Sequence, residues 1–242
     1  MNIYAIGDLH LSLKKAVNPE DWDGLEEYKP MGIFGAVWED HCYKIYINWN
    51  NIVQGDDIVL VPGDISWAST MEELEPDLDF IKRLPGRKLF VRGNHDYWWQ
   101  RISKLRSVFP EDCILIQNDS FSFRNTAIGG SRGWIVPNDF QFTEQDRKIY
   151  NRELIRLEMS LKDMDSAADL RIVMLHYMPV DEKHNYNEVI ELLKAYDIDI
   201  CVYCHLHGTA HEISLNGEKW GIIFHLVSAD FLGFVPKKII EL

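Results

Sequence analysis

The sequence predicts an α/β fold, and three observations carry it. Six short apolar runs each stop at glycine or a polar residue, amphipathic stretches lie between many of them, and the chain closes on strands in succession. The first run, residues 2–7, places Ile3, Tyr4, Ala5 and Ile6 before Gly7. Residues 12–35 follow, rich in acidic, aromatic and Pro/Gly residues. They read as an insertion near the active site, within one domain spanning residues 1–242. A helical stretch at 37–53 leads to a strand at 57–63, a helix at 71–84 to a strand at 88–93, and a further helix is expected over 98–108. The strand at 126–130 precedes a long amphipathic stretch at 143–164. Strands at 171–176 and 199–204 flank a helix at 187–196. From Gly208 the pattern changes to strands at 210–215, 220–227 and 234–239, with Asn216-Gly217 as the expected hairpin turn, so a mixed or second sheet follows.

Composition narrows the function. A chain of 242 residues with 46% hydrophobic content can bury a substantial core, and one large domain suits it. Its apolar residues come in short clusters rather than runs of about eighteen, so no membrane span is expected. Met1 runs almost directly into the first strand, which leaves no room for an export signal, and four cysteines show no framework of paired spacings. A cytoplasmic protein is the expectation. A formal charge of −13, from 25 basic against 38 acidic residues, argues against broad attachment to nucleic acid or an anionic membrane and favours a small substrate. Nothing in the sequence selects an oligomeric state.

Metal-binding residue types fall at the ends of the expected strands: Asp8 and His10, Asp64, Asn94, His176, and His205 with His207. Strand ends are where open α/β sheets bind ligands. Residues two apart in extended chain point to the same side, so Asp8 with His10, and His205 with His207, can each converge on one point. Gly7, Gly63 and Gly93 let the backbone turn sharply off each strand. Oxygen and imidazole donors suit Mn, Fe, Zn, Ni or Co, and the lack of a thiolate argues against a structural zinc cage.

At Gly7-Asp8-Leu9-His10, Gly63-Asp64, Gly93-Asn94-His95-Asp96, Leu175-His176 and Cys204-His205-Leu206-His207 the sequence resembles the calcineurin-like metallophosphoesterase superfamily, with all five blocks in the family's order. One departure is Cys204, where the family usually has glycine. The resemblance implies a four-layer α/β/β/α sandwich with two mixed β-sheets and a dinuclear metal site at the strand ends. It implies that Asp8, His10, Asp64 and His207 hold one divalent transition-metal ion, and that Asp64, Asn94, His176 and His205 hold the other, with Asp64 bridging. The implied activity is hydrolysis of a small phosphorylated molecule, a nucleotide among the candidates, by a phosphohydrolase or phosphodiesterase that uses metal-activated hydroxide. His95, beside Asn94, is the candidate leaving-group acid or phosphate-oxygen donor, and Asp96 the residue that orients it.

Rival readings are weaker. A protein Ser/Thr phosphatase of the same superfamily would carry Gly-Asp-x-Val-Asp-Arg-Gly and Gly-Asn-His-Glu, where this chain has Gly63-Asp64-Ile65-Ser66-Trp67 and Gly93-Asn94-His95-Asp96. A nuclease lacks its basic stripe, and a non-catalytic module on the fold would have lost ligands that are all present here. Arg132 could grip a substrate phosphate or form a surface ion pair, and Arg92 is expected to pair with an acidic neighbour. His41, His184, His211 and His225 read as satisfied structural histidines, Cys201 and Cys204 as core packing, and Tyr97-Trp98-Trp99 as core rather than a stacking platform. Trp22, Tyr28 and Phe34 read equally as a substrate wall or as a plug that pins a long loop.

Overall fold

Alternation along the strands sorts the apolar side chains into separate layers. In β1 (Asn2–Ala5), Ile3 and Ala5 point to one side while Tyr4, with Ile6 just beyond, points to the other. β2 (Ile58–Val61) is buried throughout, with Ile58 and Leu60 on the first side and Val59 and Val61 on the second. A strand covered on both faces has no need of polar positions, which is why these runs read as continuously apolar.

The computed structural model describes residues 1–138 and 142–242. One sheet has the order β11 (Lys237–Glu241), β1, β2, β3 (Arg87–Phe90), β4 (Cys113–Leu115). Strands β1 to β4 run parallel and β11 is antiparallel to β1. The other sheet has the order β5 (Ser120–Phe123), β6 (Thr126–Ser131), β7 (Leu170–Leu175), β8 (Ile200–Tyr203), β10 (Ile222–Leu226), β9 (Gly217–Lys219). There β6, β7, β8 and β10 are parallel, and the edge strands β5 and β9 are antiparallel.

The facing sides of the two sheets share one apolar layer, including Ile3, Leu60, Leu89, Ile128, Met174 and Val202. The outer face of the first sheet is covered by α1 (His41–Ile52), α2 (Met71–Lys82) and α3 (Ile102–Arg106), through side chains such as Trp49, Leu78 and Leu105. The outer face of the second is covered by α4 (Glu144–Asp163) and α5 (Glu188–Ala195), through Leu157, Ile190 and their neighbours. The result is a four-layer α/β/β/α sandwich. A capping box, in which the Thr143 side chain accepts from Asp146 N and Asp146 accepts from Thr143 N, starts α4 at its sequence-predicted position. Among the described residues no helix is long and apolar enough to cross a membrane.

Four local expectations are corrected. Residues 210–215 form no strand: a 3-10 helix runs over Gly208–Ile213. Both edges of β8 are already paired, by β7 and β10, so the segment leaving β8 has no strand to join and satisfies its amides locally, as Ala210 N does on His207 O. The hairpin turn is not at Asn216-Gly217 but at Trp220-Gly221, both with positive φ (57° and 82°), as a two-residue turn between paired Lys219 and Ile222 demands. Asn216 instead accepts a hydrogen bond from Leu226 N. The first helix begins at His41 rather than at 37, because Asp40 takes a left-handed conformation after a 3-10 turn over Ala36–Trp38. The expected helix at 98–108 shrinks to the five residues of α3, since Trp98 and Trp99 are drawn down into the core. The strands β4 and β5 went unassigned in the sequence, β4 being three residues long and β5 an edge strand with no fully buried residue.

Candidate metal centre

The loops that leave β1, β2, β3, β7 and β8 carry the candidate ligands to one edge of the sandwich. Asp8, His10, Asp64 and His205 all have positive φ (56°, 47°, 50° and 77°), a costly conformation for residues with a side chain. It is held by a ladder that continues past the strand ends: Asp8 N donates to Gly63 O, His10 N to Asp64 O and Leu11 N to Ile65 O, each at 3.0 Å. Gly93 has no alternative. A Cβ there would lie 2.1 Å from Asp64 Oδ1 and 2.2 Å from Asp64 N, so any side chain would displace the central carboxylate.

Two groups of donors result. Asp8, His10 and His207 bring ligand atoms within 4.8 Å of one another, and so do Asp64, His176 and His205. Asp64 Oδ2 lies between the groups, 3.8 Å from His10 Nε2 and 3.6 Å from His176 Nε2. Asn94 Oδ1 lies 2.6 Å from His176 Nε2, and His205 Nδ1 lies 3.1 Å from the same nitrogen. His10 Nε2 and His207 Nε2 are 3.4 Å apart. These are lone-pair atoms turned toward each other, an arrangement that suits shared cations better than direct hydrogen bonding. Asp8 Oδ1 is buried with no hydrogen-bond partner. The donors are carboxylate, amide oxygen and imidazole, which fits divalent transition metals.

Electrostatics agree with that use. Burial pushes the Asp8 and Asp64 carboxyls above their ordinary range, Asp64 further because Asp96 and Asp8 lie beside it. Burial also drives His10 and His176 well down and His205 down to about 4, so all three rings are neutral near neutral pH, the form in which an imidazole can ligate a metal. His207 is the exception: burial pulls it down, but the Asp8 and Asp230 carboxylates outweigh that and raise it.

Supporting groups fix the ring orientations. His176 Nδ1 donates to Pro62 O at 3.1 Å, which turns Nε2 toward Asp64 and Asn94. Cys204 Sγ donates to the same carbonyl at 3.0 Å, and it fills the space a Cβ on Gly7 would need. His207 Nδ1 donates to Asp230 Oδ1 at 2.9 Å. Asp230, which holds the His207 ring, was missed in the sequence, although it follows β10 as the candidate ligands follow their strands. Asp96 does not orient His95. Its buried carboxylate accepts the amides of Asp64, Ile65, Ser66 and Gly93, and so braces the two loops, while His95 Nδ1 lies 3.2 Å from the Tyr97 hydroxyl. Burial lifts the Asp96 carboxyl to about 6 against the amides of Gly93, Ser66 and Ile65 and the charge of Arg92.

The centre opens into a cavity of about 420 Å³ lined on one side by His95, His205 and His207 and on the other by Met31, Phe34, Val37, Trp38 and Trp67. Trp67 stacks on His10 at 4.9 Å and lies 4.1 Å from the His95 ring, and Lys29 Nζ lies over the same indole at 3.0 Å. Trp22 is a plug against Tyr43, Tyr46 and Phe80, whereas Phe34 is exposed and faces the cavity. Arg132 does not line this cavity. It pairs with Glu153 at 3.2 Å and stacks on Trp134. Arg92 has the acidic neighbour expected of it, Asp96, whose carboxyl its charge lowers, but it forms no direct ion pair among the described residues and its Nε is buried without a hydrogen bond.

The sequence profile of the calcineurin-like phosphoesterases matches residues 1–209. The chain belongs to that family. Calcineurin-like phosphoesterases are metal-dependent hydrolases, and this member has the His/Asp clusters to match. A probable cyclic nucleotide phosphodiesterase of Coxiella burnetii is 22% identical to this calcineurin-like phosphoesterase over 165 residues, covering 63% of this chain and 60% of that protein. The gene 66 protein of Mycobacterium phage D29 is 30% identical over 95 residues, 39% of this chain and 40% of that protein. The matches thus span less than two thirds of either relative. Among solved structures, the phosphopantetheinyl hydrolase of Mycobacterium tuberculosis superposes with a TM-score of 0.57 at 13% identity, covering all of this chain and 96% of that one. That likeness shows a shared fold.

Proposed function

We propose that this calcineurin-like phosphoesterase is a dinuclear metal-dependent phosphohydrolase or phosphodiesterase that acts on a small phosphorylated molecule. The single observation that carries this reading is the position of Asp64 Oδ2, within 4 Å of both His10 Nε2 and His176 Nε2 and so able to serve two ions. Asp8, His10, Asp64 and His207 would hold one ion, and Asp64, Asn94, His176 and His205 the other. When bound, two such ions lower the pKa of a water to supply hydroxide near neutral pH and stabilise charge on the phosphoryl oxygens.

The chain's own residues do the rest. Asp96 fixes the loops of Asp64 and Asn94 through backbone amides, and Asp230 and the Pro62 carbonyl set the tautomers of His207 and His176. His95 borders the cavity outside both donor groups, and Tyr97 holds its Nδ1 side, which leaves Nε2 to face the departing oxygen as a proton donor. The free ring is held down to about 4 by burial, with Lys29 and His207 adding to it, so it needs the negative substrate to take up its proton. The apolar wall from Met31 to Trp38 suits a substrate whose organic part is flat or apolar, which keeps a nucleotide among the candidates, in line with the phosphodiesterase relative.

The test is to reload purified protein with Mn²⁺, count ions by elemental analysis and screen mono- and diesters. About two ions per chain and metal-dependent release of phosphate or alcohol are expected. Asp64→Asn should lower both occupancies and activity together, since it removes the charge between two cations. One ion or fewer at saturating Mn²⁺ refutes the two-metal reading.

A further inference from the structure

A second pocket, of about 170 Å³, lies between the loops after β3 and β6 and the side of α4, and its lining includes Arg92, Arg132, Arg156, Glu153, Gln100 and Asn118. Its charge is out of balance. Arg132, Arg156 and Arg152 all turn to the same oxygen, Glu153 Oε1, at 3.2, 2.8 and 3.7 Å. Glu153 is 2% exposed. Arg92 brings a fourth guanidinium with no ion pair among the described residues. The Nε atoms of Arg92 and Arg132 are both buried without a hydrogen-bond acceptor. In a chain of net charge −13, three cations on one carboxylate with a fourth lining the same pocket are the reverse of the general balance.

The Arg–Glu–Arg arrangement by itself has a structural use, since it ties α4 to the loop after β6. That use accounts for Arg132, Arg152 and Arg156. It does not account for the unspent buried Nε donors of Arg92 and Arg132 or for the open space between them, and Arg92 meets an acidic group only through the field of Asp96. Guanidinium forks match the geometry of a phosphate-type oxyanion and form their strongest hydrogen bonds with it. Burial pulls the Arg132 guanidinium down from its ordinary value, and Arg92 and Arg152 pull it further against Glu153, a cost that an anion would relieve.

We propose that the pocket bounded by Arg92, Arg132 and Arg156 is a second oxyanion site, independent of metal, which takes a phosphate-type group. Two sources share that chemistry: another phosphoryl group on the hydrolysed molecule, or a free phosphate. The pocket shares backbone with the metal centre. Arg92 is two residues before Asn94, at most roughly 7 Å of extended chain, and the Arg132 carbonyl accepts the amides of His176 and Tyr177, both at 3.1 Å. A molecule with two phosphates is therefore the probe for a link between the two pockets.

The experiment titrates inorganic phosphate into metal-free protein by calorimetry, which makes no use of the hydrolytic reading. Wild type should bind, and Arg92→Gln and Arg156→Gln should each weaken binding at least tenfold, while Arg101→Gln, at an exposed arginine outside the pocket, should not. Thermal melts confirm folding. Arg92 makes no side-chain hydrogen bond or ion pair among the described residues, only a favourable charge interaction with Asp96, so that variant keeps the test open should Arg156→Gln unfold. Absence of binding, or equal binding in wild type and Arg92→Gln, overturns the proposal and leaves an ion-pair network with an adventitious ion only. In metal-loaded enzyme, a tenfold rise in KM for adenosine 3′,5′-bisphosphate with nitrophenyl phosphate unchanged assigns the site to the substrate's second phosphate. Unchanged KM values with phosphate binding still lost assign it to free phosphate. Loss of all hydrolysis in the wild type would refute the proposed function and leave the calorimetric result intact.

Discussion

At the scale of single residues, division of labour is the question, and His95 tests it. Its backbone amide donates to Asp64 Oδ1 at 2.8 Å while its ring sits apart from both donor groups, so removing the ring spares the ligands. If the ring protonates the departing oxygen, His95→Ala should lower kcat by roughly 10²–10⁴-fold on poor leaving groups and far less on nitrophenolate, with metal content unchanged. A leaving-group series in wild type and variant reads this directly, and parallel slopes would show that the ring stabilises phosphoryl oxygens instead. Tyr97→Phe removes the hydroxyl 3.2 Å from Nδ1 and should reproduce part of the same slope change, about tenfold or less.

At the scale of elements, residues 12–35 divide into an anchored part and an exposed part. Leu13, Val17 and Met31 are buried in the core, Leu13 N donates to Asp77 Oδ1 and Ser12 Oγ to Lys29 O, so excising the whole segment would damage the fold as well as the site. Phe34 and Val37 are exposed and line the cavity. Recognition is best tested there, because loops on a rigid scaffold supply specificity while strand ends hold the reacting groups. Phe34→Ala with Val37→Ser should raise KM for substrates with aromatic or apolar organic parts several-fold and leave nitrophenyl phosphate turnover within about twofold. An equal loss on every ester would return these side chains to a structural role.

At the scale of the whole molecule, buried carboxyls make stability depend on pH. Asp77, in α2, ties Leu13 N and Ser66 Oγ together in the interior, and burial lifts its carboxyl to about 7 despite those hydrogen bonds. A folded-state value above the unfolded one of 3.8 means that the folded protein holds the proton longer. The contribution is present in full below about pH 4 and is lost as pH rises to about 7, on the order of a few kcal/mol. Asp77→Asn should therefore flatten the fall of Tm across that window relative to wild type. Thermal melts from pH 4 to 8 on metal-loaded protein measure it, and an unchanged difference between the two proteins would mean that Asp77 is not the titrating group.

The sequence determined the α/β class, the order of the buried strands and the seven candidate ligands, because strand burial imposes apolar runs and ligand chemistry admits few residue types. Helix starts with side-chain caps, Thr70, Thr143 and Asn187, were legible for the same local reason. What depended on partners far along the chain was decided only by the tertiary structure. Residues 210–215 lost their strand because β7 and β10 had already taken both edges of β8. Asp96 spends its carboxylate on loop amides from residues 64–66, about thirty positions away, and so cannot serve the adjacent His95. Asp230 reaches His207 only once β10 lies beside β8, and Arg92 shares a pocket with Glu153 only once the two sheets are face to face. A motif records which residue types are present, but hydrogen bonds and charge balance are settled between groups that the fold alone brings together.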